Sequence, residues 1–271
     1  MSLQAIAERG LVLLGCGKMG SALLAGWLEN GVSPTSVWAL EPAPSDWLQG
    51  TGIALNTTLP DNPAVVLVAV KPQMMGDALP VLKALGNGET LFVSVAAGTP
   101  IRAFEDALGD QTPVVRAMPN TPAAIGQGIT ALIGNRHARA DQVELAENLL
   151  SAVGQTVLLE TEDQMDAVTG VSGSGPAYVF HLIETLAAGG VAEGLPEELA
   201  MKLAKATVAG AGALAVPDDA DPAQLRINVT SPNGTTQAAL DVLMDEQGGF
   251  PNLLPRAVTA ATRRSEELSR G

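Results

Sequence analysis

Short, near-continuous aliphatic runs punctuate the chain as far as residue 159: Leu11-Val12-Leu13-Leu14, then residues 37–40, 64–70, 90–95, 114–118, 130–133 and 156–159. Runs of this length without polar alternation read as strands buried on both faces. Between them lie stretches with helical spacing over 19–29, 78–85, 100–108 and 141–152, the first closed by Asn30-Gly31. Strands alternating with helices predict a parallel sheet with helices on both faces. After Glu160 the pattern changes. Strand signals give way to Ala-rich helical segments over 163–170, 175–194, 196–216, 222–229, 235–246 and 252–270. The boundary falls near residues 160–165. The expected fold class is therefore α/β, with a doubly wound sheet domain over 9–162 and an all-helical domain over 163–271. Gly189, Gly190, Gly210 and Gly212 sit among alanines. Small residues let helices approach closely, so these helices are expected to pack tightly on one another or on a second subunit.

Composition narrows the function classes. The 271 residues are 46% hydrophobic and 16% charged, with a net charge of −14. That aliphatic content argues against disorder, and the length allows a sizeable core. The negative charge argues against a nucleic-acid partner, which needs a cationic surface. Aromatics are 3%, too few for a base-stacking platform. Cys16 is the single cysteine, which forbids an intramolecular disulfide and suits a reducing compartment. The first ten residues include Glu8 and Arg9 and hold no long apolar run, so no secretory leader is expected. The apolar stretch near 203–216 is too short and too rich in Ala and Gly to span a bilayer. A cytoplasmic protein with no membrane partner is expected. His137 lies beside Arg136 and Arg139, and His181 reads as a packing residue on a helix; two distant histidines and one cysteine form no metal-binding pattern.

Several segments carry chemistry. Gly15-Cys16-Gly17-Lys18-Met19-Gly20 follows a buried strand and opens a helix. In a Rossmann-type dinucleotide site the first Gly makes the tight turn, the second admits the pyrophosphate, and the third lets helix and strand pack. The helix N-terminus adds free N–H donors. Glu41 ends the second strand about twenty residues after Gly20, where an acid accepts the adenosine ribose hydroxyls. A carboxylate there disfavours a 2′-phosphate, and Glu41-Pro42-Ala43-Pro44-Ser45 offers no Arg or Lys, so the reading leans to NADH; the alternative is a solvated loop Glu. Lys71, in Val70-Lys71-Pro72-Gln73, is either a cofactor- or substrate-positioning group or a solvated lysine. Asn120, in the segment Arg116-Ala117-Met118-Pro119-Asn120-Thr121-Pro122, either faces the nicotinamide or braces a stiff turn. Ser172-Gly173-Ser174-Gly175-Pro176-Ala177-Tyr178 either orients a ligand or makes a sharp turn. Asn228-Val229-Thr230-Ser231-Pro232-Asn233-Gly234-Thr235-Thr236 opens a helix and is either a carboxylate site or a plain cap. There is no Gly-x-Ser-x-Gly elbow, and Gly17-Lys18-Met19 lacks the Ser or Thr of a P-loop.

Together these segments resemble the Δ1-pyrroline-5-carboxylate reductases, over about residues 11–268. The matching segments are 15–20, 70–73, 116–122, 172–178 and 229–236, the last two being the most specific. Asn233 stands where the family usually has a second Gly, and Ala239 where a Gly is common. Asn tolerates left-handed backbone better than most residues, so the loop shape is expected to survive.

The resemblance implies reduction of the C=N bond of pyrroline-5-carboxylate to L-proline with NADPH or NADH. It implies that Thr236 meets the imine nitrogen and that Ser231, Gly234 and Thr235 hold the substrate carboxylate, with Asn228 and Ser174 in the same site. It places Gly15, Gly17, Lys18, Met19, Gly20, Glu41, Asn56, Ala69, Lys71, Pro72 and Asn120 at the cofactor. It also implies a helical dimerisation domain interlocked between two subunits, as a dimer or a ring of dimers. Two other readings compete. One is another imine or β-hydroxyacid-type reductase, for which Lys202 and Lys205 are candidate catalytic lysines by residue type alone. The other is a non-catalytic nucleotide sensor.

Overall fold

The computed structural model describes residues 3–217 and 221–270, so the expected domain end at Gly271 lies outside the described residues. The order of elements is α1 (Leu3–Arg9), β1 (Leu11–Leu14), α2 (Lys18–Glu29), β2 (Val37–Leu40), α3 (Asp46–Gln49), β3 (Ala54–Leu55), β4 (Val65–Val68), α4 (Met75–Ala78), β5 (Leu91–Ser94), α5 (Ile101–Leu108), β6 (Val114–Met118), β7 (Gly128–Gly134), α6 (Ala140–Leu150) and β8 (Gly154–Leu158). Helices follow: α7 (Gln164–Val168), α8 (Gly175–Ala192), α9 (Glu197–Ala215), α10 (Pro222–Asn228), α11 (Thr235–Leu243) and α12 (Phe250–Arg270). The chain forms two compact units. One runs to Gly173 and resumes at Ala261; the other spans Ser174–Ala260.

The first unit holds one eight-stranded sheet in the order β3-β2-β1-β4-β5-β6-β7-β8. Alternate side chains of the aliphatic runs enter opposite layers, as strand geometry requires. Leu11, Leu13, Val65, Leu67, Leu91 and Val93 pack with Leu23, Leu24 and Trp27 of α2 and Leu145 and Leu149 of α6. Val12, Leu14, Val66, Val68 and Phe92 pack with Leu79, Leu82, Phe104 and Leu108 on the other face. Each fully buried side chain of this kind contributes about 1.5–3 kcal/mol. The Trp27 indole N–H donates to the Leu149 carbonyl at 2.8 Å, so its one polar group is satisfied inside the core.

Two local expectations are corrected. The sheet is not uniformly parallel: β7 pairs antiparallel with β6, and β8 runs parallel to β7. Residues 119–127 are too few for a crossover, because parallel neighbours need a connection of about a dozen residues or more. The helix expected over 78–85 is instead a 3₁₀ stretch, Leu79–Leu85, following the short α4. Pro80, at its start, has no N–H to donate into a continuous α-helix.

The last helix returns to the first unit after Ala261. Buried Ser265 donates to Asp166 Oδ1 of α7 at 2.6 Å, and Leu268 lies against Gly98. In the second unit, α8 and α9 meet through Ala187, Ala200 and Ala204, with Ile183 and Met201 alongside. Gly190 faces Ala200 at this contact, where an added Cβ would stand 3.3 Å from the Ala200 Cβ. Larger apolar side chains, among them Phe180, Leu186, Leu203, Leu214, Ile227 and Val242, stay exposed in the single chain. His181 is also exposed, 3.1 Å from Glu184, rather than packed as the sequence led us to expect. Among the described residues no helix is long and apolar enough to cross a membrane.

Candidate active site

The order β3-β2-β1-β4-β5-β6 reverses direction of progression between β1 and β4. In open α/β sheets such a switch point is where ligands sit, beyond the carboxyl ends of the strands. Register aligns those ends: Leu14 is beside Leu40 and Val68, Val68 beside Ser94, and Ser94 beside Arg116. The chain segments leaving these strands carry Gly15, Glu41, Ala69 and Asn120.

The glycines of the loop differ in what packs against them. Gly15 has φ +86°, and a Cβ there would stand 2.7 Å from Val70 and 3.0 Å from the Ala69 carbonyl. A Cβ on Gly20 would reach 2.5 Å from the Gly15 carbonyl oxygen. Gly17 has an ordinary φ of −69° and no protein atom within 4 Å of an added Cβ. Protein packing therefore does not demand a glycine at 17, and the open space before α2 fits the close approach of a pyrophosphate. Lys18, exposed, is the first residue of α2, and Met19 packs half-buried against the core beneath it. The loop thus fits a dinucleotide.

Glu41 is the most connected group at this edge. Its Oε2 accepts from the Cys16 N–H at 2.7 Å and its Oε1 from the Ala43 N–H at 3.0 Å. Asn56, at φ +52°, clamps the Glu41 backbone: Asn56 Oδ1 accepts from the Glu41 N–H, and Asn56 Nδ2 donates to the Glu41 carbonyl, both at 2.9 Å. Burial, reinforced by the Glu41 charge, pushes the Cys16 thiol up to about 11. Ala69 donates its N–H to Leu14 and forms the wall against Gly15 and Gly20. Lys71 and Pro72 are exposed at the turn after β4. Asn120 Oδ1 accepts from the Ile129 N–H at 3.0 Å, pinning the start of β7.

Sequence reasoning missed two parts of this unit. One is the Ala43 N–H that helps fix Glu41. The other is the ion pair between buried Arg116 and Glu162 at 2.7 Å, in which Glu162 Oε1 also accepts from the Ile101 N–H at the start of α5. No local signal marks Glu162, because its partners lie far along the chain.

In the second unit, Asn228 ends α10 and Ser174 precedes α8, whereas Ser231, Gly234, Thr235 and Thr236 lie at or just before the start of α11. Gly234 is its N-cap and has no side chain to close the first turn, so the N–H groups of Thr235 and Thr236 open the helix without a side-chain cap. Gly234 itself donates to the Ser231 carbonyl at 3.0 Å. Asn233 adopts φ +58°, the left-handed conformation expected of an Asn standing for Gly. Thr230 Oγ1 donates to the Arg226 carbonyl at 2.6 Å and ties the loop to α10, while Asn228 accepts from Gln224 at 2.8 Å. Ser174 precedes α8 as its half-buried N-cap, with its carbonyl accepting from Ala177. Among the described residues no group of three or more His, Cys, Asp or Glu is placed to hold a metal ion.

Comparison with known proteins decides the family. A family model described as pyrroline-5-carboxylate reductase dimerisation matches residues 162–268, and one described as NADP oxidoreductase, coenzyme F420-dependent, matches residues 10–98. The pyrroline-5-carboxylate reductase of Pseudomonas aeruginosa is 40% identical over 265 residues, covering 96% of each chain. The chain belongs to the pyrroline-5-carboxylate reductase family. Two solved reductase structures agree. That from Coxiella burnetii superposes with a TM-score of 0.90 at 34% identity, covering 97% of this chain and 99% of the other. That from Plasmodium falciparum, with NADP bound, gives 0.83 at 28% identity, covering 96% and 98%.

Proposed function

We propose that the chain reduces the C=N bond of 1-pyrroline-5-carboxylate to give L-proline, using NADPH or NADH. The observation that carries this reading is near-complete coverage by a reductase relative at 40% identity, together with the intact glycine loop and Thr-Thr helix start. Gly15, Gly17, Lys18, Met19 and Gly20 would hold the dinucleotide phosphates, with Glu41 and Asn56 at its ribose. Ala69, Lys71, Pro72 and Asn120 would line its path along the strand ends. The bound nicotinamide supplies a hydride.

The substrate offers a carboxylate and a ring nitrogen. Ser231 would donate its hydroxyl, and Gly234 and Thr235 their backbone N–H groups, to the carboxylate, since a helix N-terminus favours an anion without a lysine or arginine. Asn228 and Ser174 complete the substrate side. Thr236 would donate its hydroxyl hydrogen bond to the imine nitrogen, which gains basicity as electrons reach the adjacent carbon. Threonine is a weak acid, so the proton comes ultimately from water. A C=N carbon accepts hydride readily once its nitrogen is hydrogen-bonded, and positioning supplies much of the remaining acceleration.

The exposed apolar faces of α8–α11 are covered, in this reading, by a second copy of the chain, as a dimer or a ring of dimers in the cytoplasm. The test is oxidation of NADH or NADPH on adding pyrroline-5-carboxylate, with proline identified as product. Turnover with at least one nucleotide is expected; none from a folded sample would refute the reading.

A further inference from the structure

We propose that Glu41 determines coenzyme choice and makes this site select NADH over NADPH. The proposal rests on the cofactor reading above and deepens it. Dinucleotides of this fold seat the adenosine ribose at the end of the second strand, which here is Leu40-Glu41. Four hydrogen bonds fix Glu41 there, two to its carboxylate from Cys16 and Ala43 and two to its backbone from Asn56. Each carboxylate oxygen uses one lone pair on a backbone N–H and keeps another. An unmodified ribose hydroxyl can donate to it.

A 2′-phosphate meets the opposite situation. It brings about −1.5 to −2 charges to a carboxylate that cannot swing away without breaking its bonds to the glycine loop and the following turn. No Lys or Arg occurs between Lys18 and Lys71, whereas Glu29, Glu41, Asp46 and Asp61 fall in that interval. Ser45 caps α3, its Oγ accepting from the Leu48 N–H at 3.2 Å, and its remaining O–H carries no positive charge to offset a phosphate. Like charges held together at a site suppress the wrong ligand more than they weaken the right one.

Calorimetric titration of the full-length protein with NADH and with NADPH, without substrate, tests the proposal. NADH is expected to bind about tenfold or more tightly than NADPH. Glu41→Gln removes the charge and keeps an acceptor oxygen; the ratio is expected to fall about fivefold, through tighter NADPH and weaker NADH. Ala43→Arg, at an exposed position, keeps the backbone N–H and adds a cation; NADPH is expected to tighten. Thermal melting confirms that both variants fold, and if Glu41→Gln does not, Ala43→Arg decides. NADPH binding as tightly as NADH in the unsubstituted protein, or a ratio unmoved by the substitutions, would overturn the proposal alone. Binding of neither nucleotide would overturn the cofactor reading and this one with it.

Discussion

At the scale of single residues, the glycine loop offers the sharpest separation of packing from ligand binding. Gly20→Ala drives a Cβ to 2.5 Å from the Gly15 carbonyl, a backbone atom that cannot turn aside. It is expected to destabilise the protein by about 1–3 kcal/mol. Gly17→Ala meets no protein atom within 4 Å. Its stability should stay within about 1 kcal/mol of the parent, as for a modest change of N-cap. Its dinucleotide affinity should nevertheless fall by about tenfold or more, because the Cβ occupies the space of the pyrophosphate. Melting curves and calorimetric titration of the two variants check both statements; equal affinity for Gly17→Ala would remove that glycine from the cofactor site. Thr236→Ala is expected to lower kcat/KM by about 10²-fold with nucleotide affinity little changed, and steady-state kinetics beside direct titration separate the two. Cys16 should be unreactive despite its place in the loop. Its thiol is raised from 9.0 to about 11, so its thiolate fraction near neutrality is about 100-fold below that of an ordinary cysteine. Alkylation by iodoacetamide should be slow and should keep accelerating above pH 9.0 rather than level off there.

At the scale of elements, what the sequence made legible follows from how local each signal is. The runs 11–14 and 114–118 coincide with β1 and β6, because strands buried on both faces read as near-continuous apolar stretches, broken in β6 only by Arg116. The glycine loop was readable for the same reason: turn, approach and helix start are all within six consecutive residues. The direction of β7 was not, since an apolar run looks the same in either orientation and only the length of the preceding connection decides it. The substrate loop owed its assignment to resemblance, because an uncapped Thr-Thr start is chemically indistinguishable from a structural helix start. Glu162 likewise acts at long range, joining the segment before α7 to β6 and to the N-terminus of α5. Glu162→Ala leaves the Arg116 guanidinium, 5% exposed, without its carboxylate partner. A loss of about 3 kcal/mol is expected, seen as a lowered Tm at fixed protein concentration. Arg116→Met should cost less, because Glu162 is 31% exposed and can turn to water. An unchanged Tm for Glu162→Ala would show that the pair holds nothing.

At the scale of the whole molecule, the net charge of −14 sits beside an anionic cofactor and an anionic substrate. Both anions are assigned to helix N-termini, whose N–H groups act at contact distance, while distant carboxylates are screened over about 8 Å at physiological salt. On the proposed function, the charge serves solubility, and Glu41 is the carboxylate proposed to discriminate between coenzymes. The helical unit points to self-association: among its described residues the buried apolar ones are the small Ala187, Ala200 and Ala204, and larger ones, such as Phe180 and Leu203, are exposed in the single chain. Exposed apolar area on this scale marks an interface. Sedimentation is expected to give a dimer or larger species of the 27.7 kDa chain, and a monomer at all concentrations would contradict it. The central claim, however, is the reaction. It is tested most directly with NADH deuterated at the transferable position, pyrroline-5-carboxylate, and mass spectrometry of the product. Proline carrying one deuterium at the former imine carbon is expected. Nucleotide oxidation without labelled proline, or no oxidation of NADH or NADPH by the folded oligomer, would contradict the account.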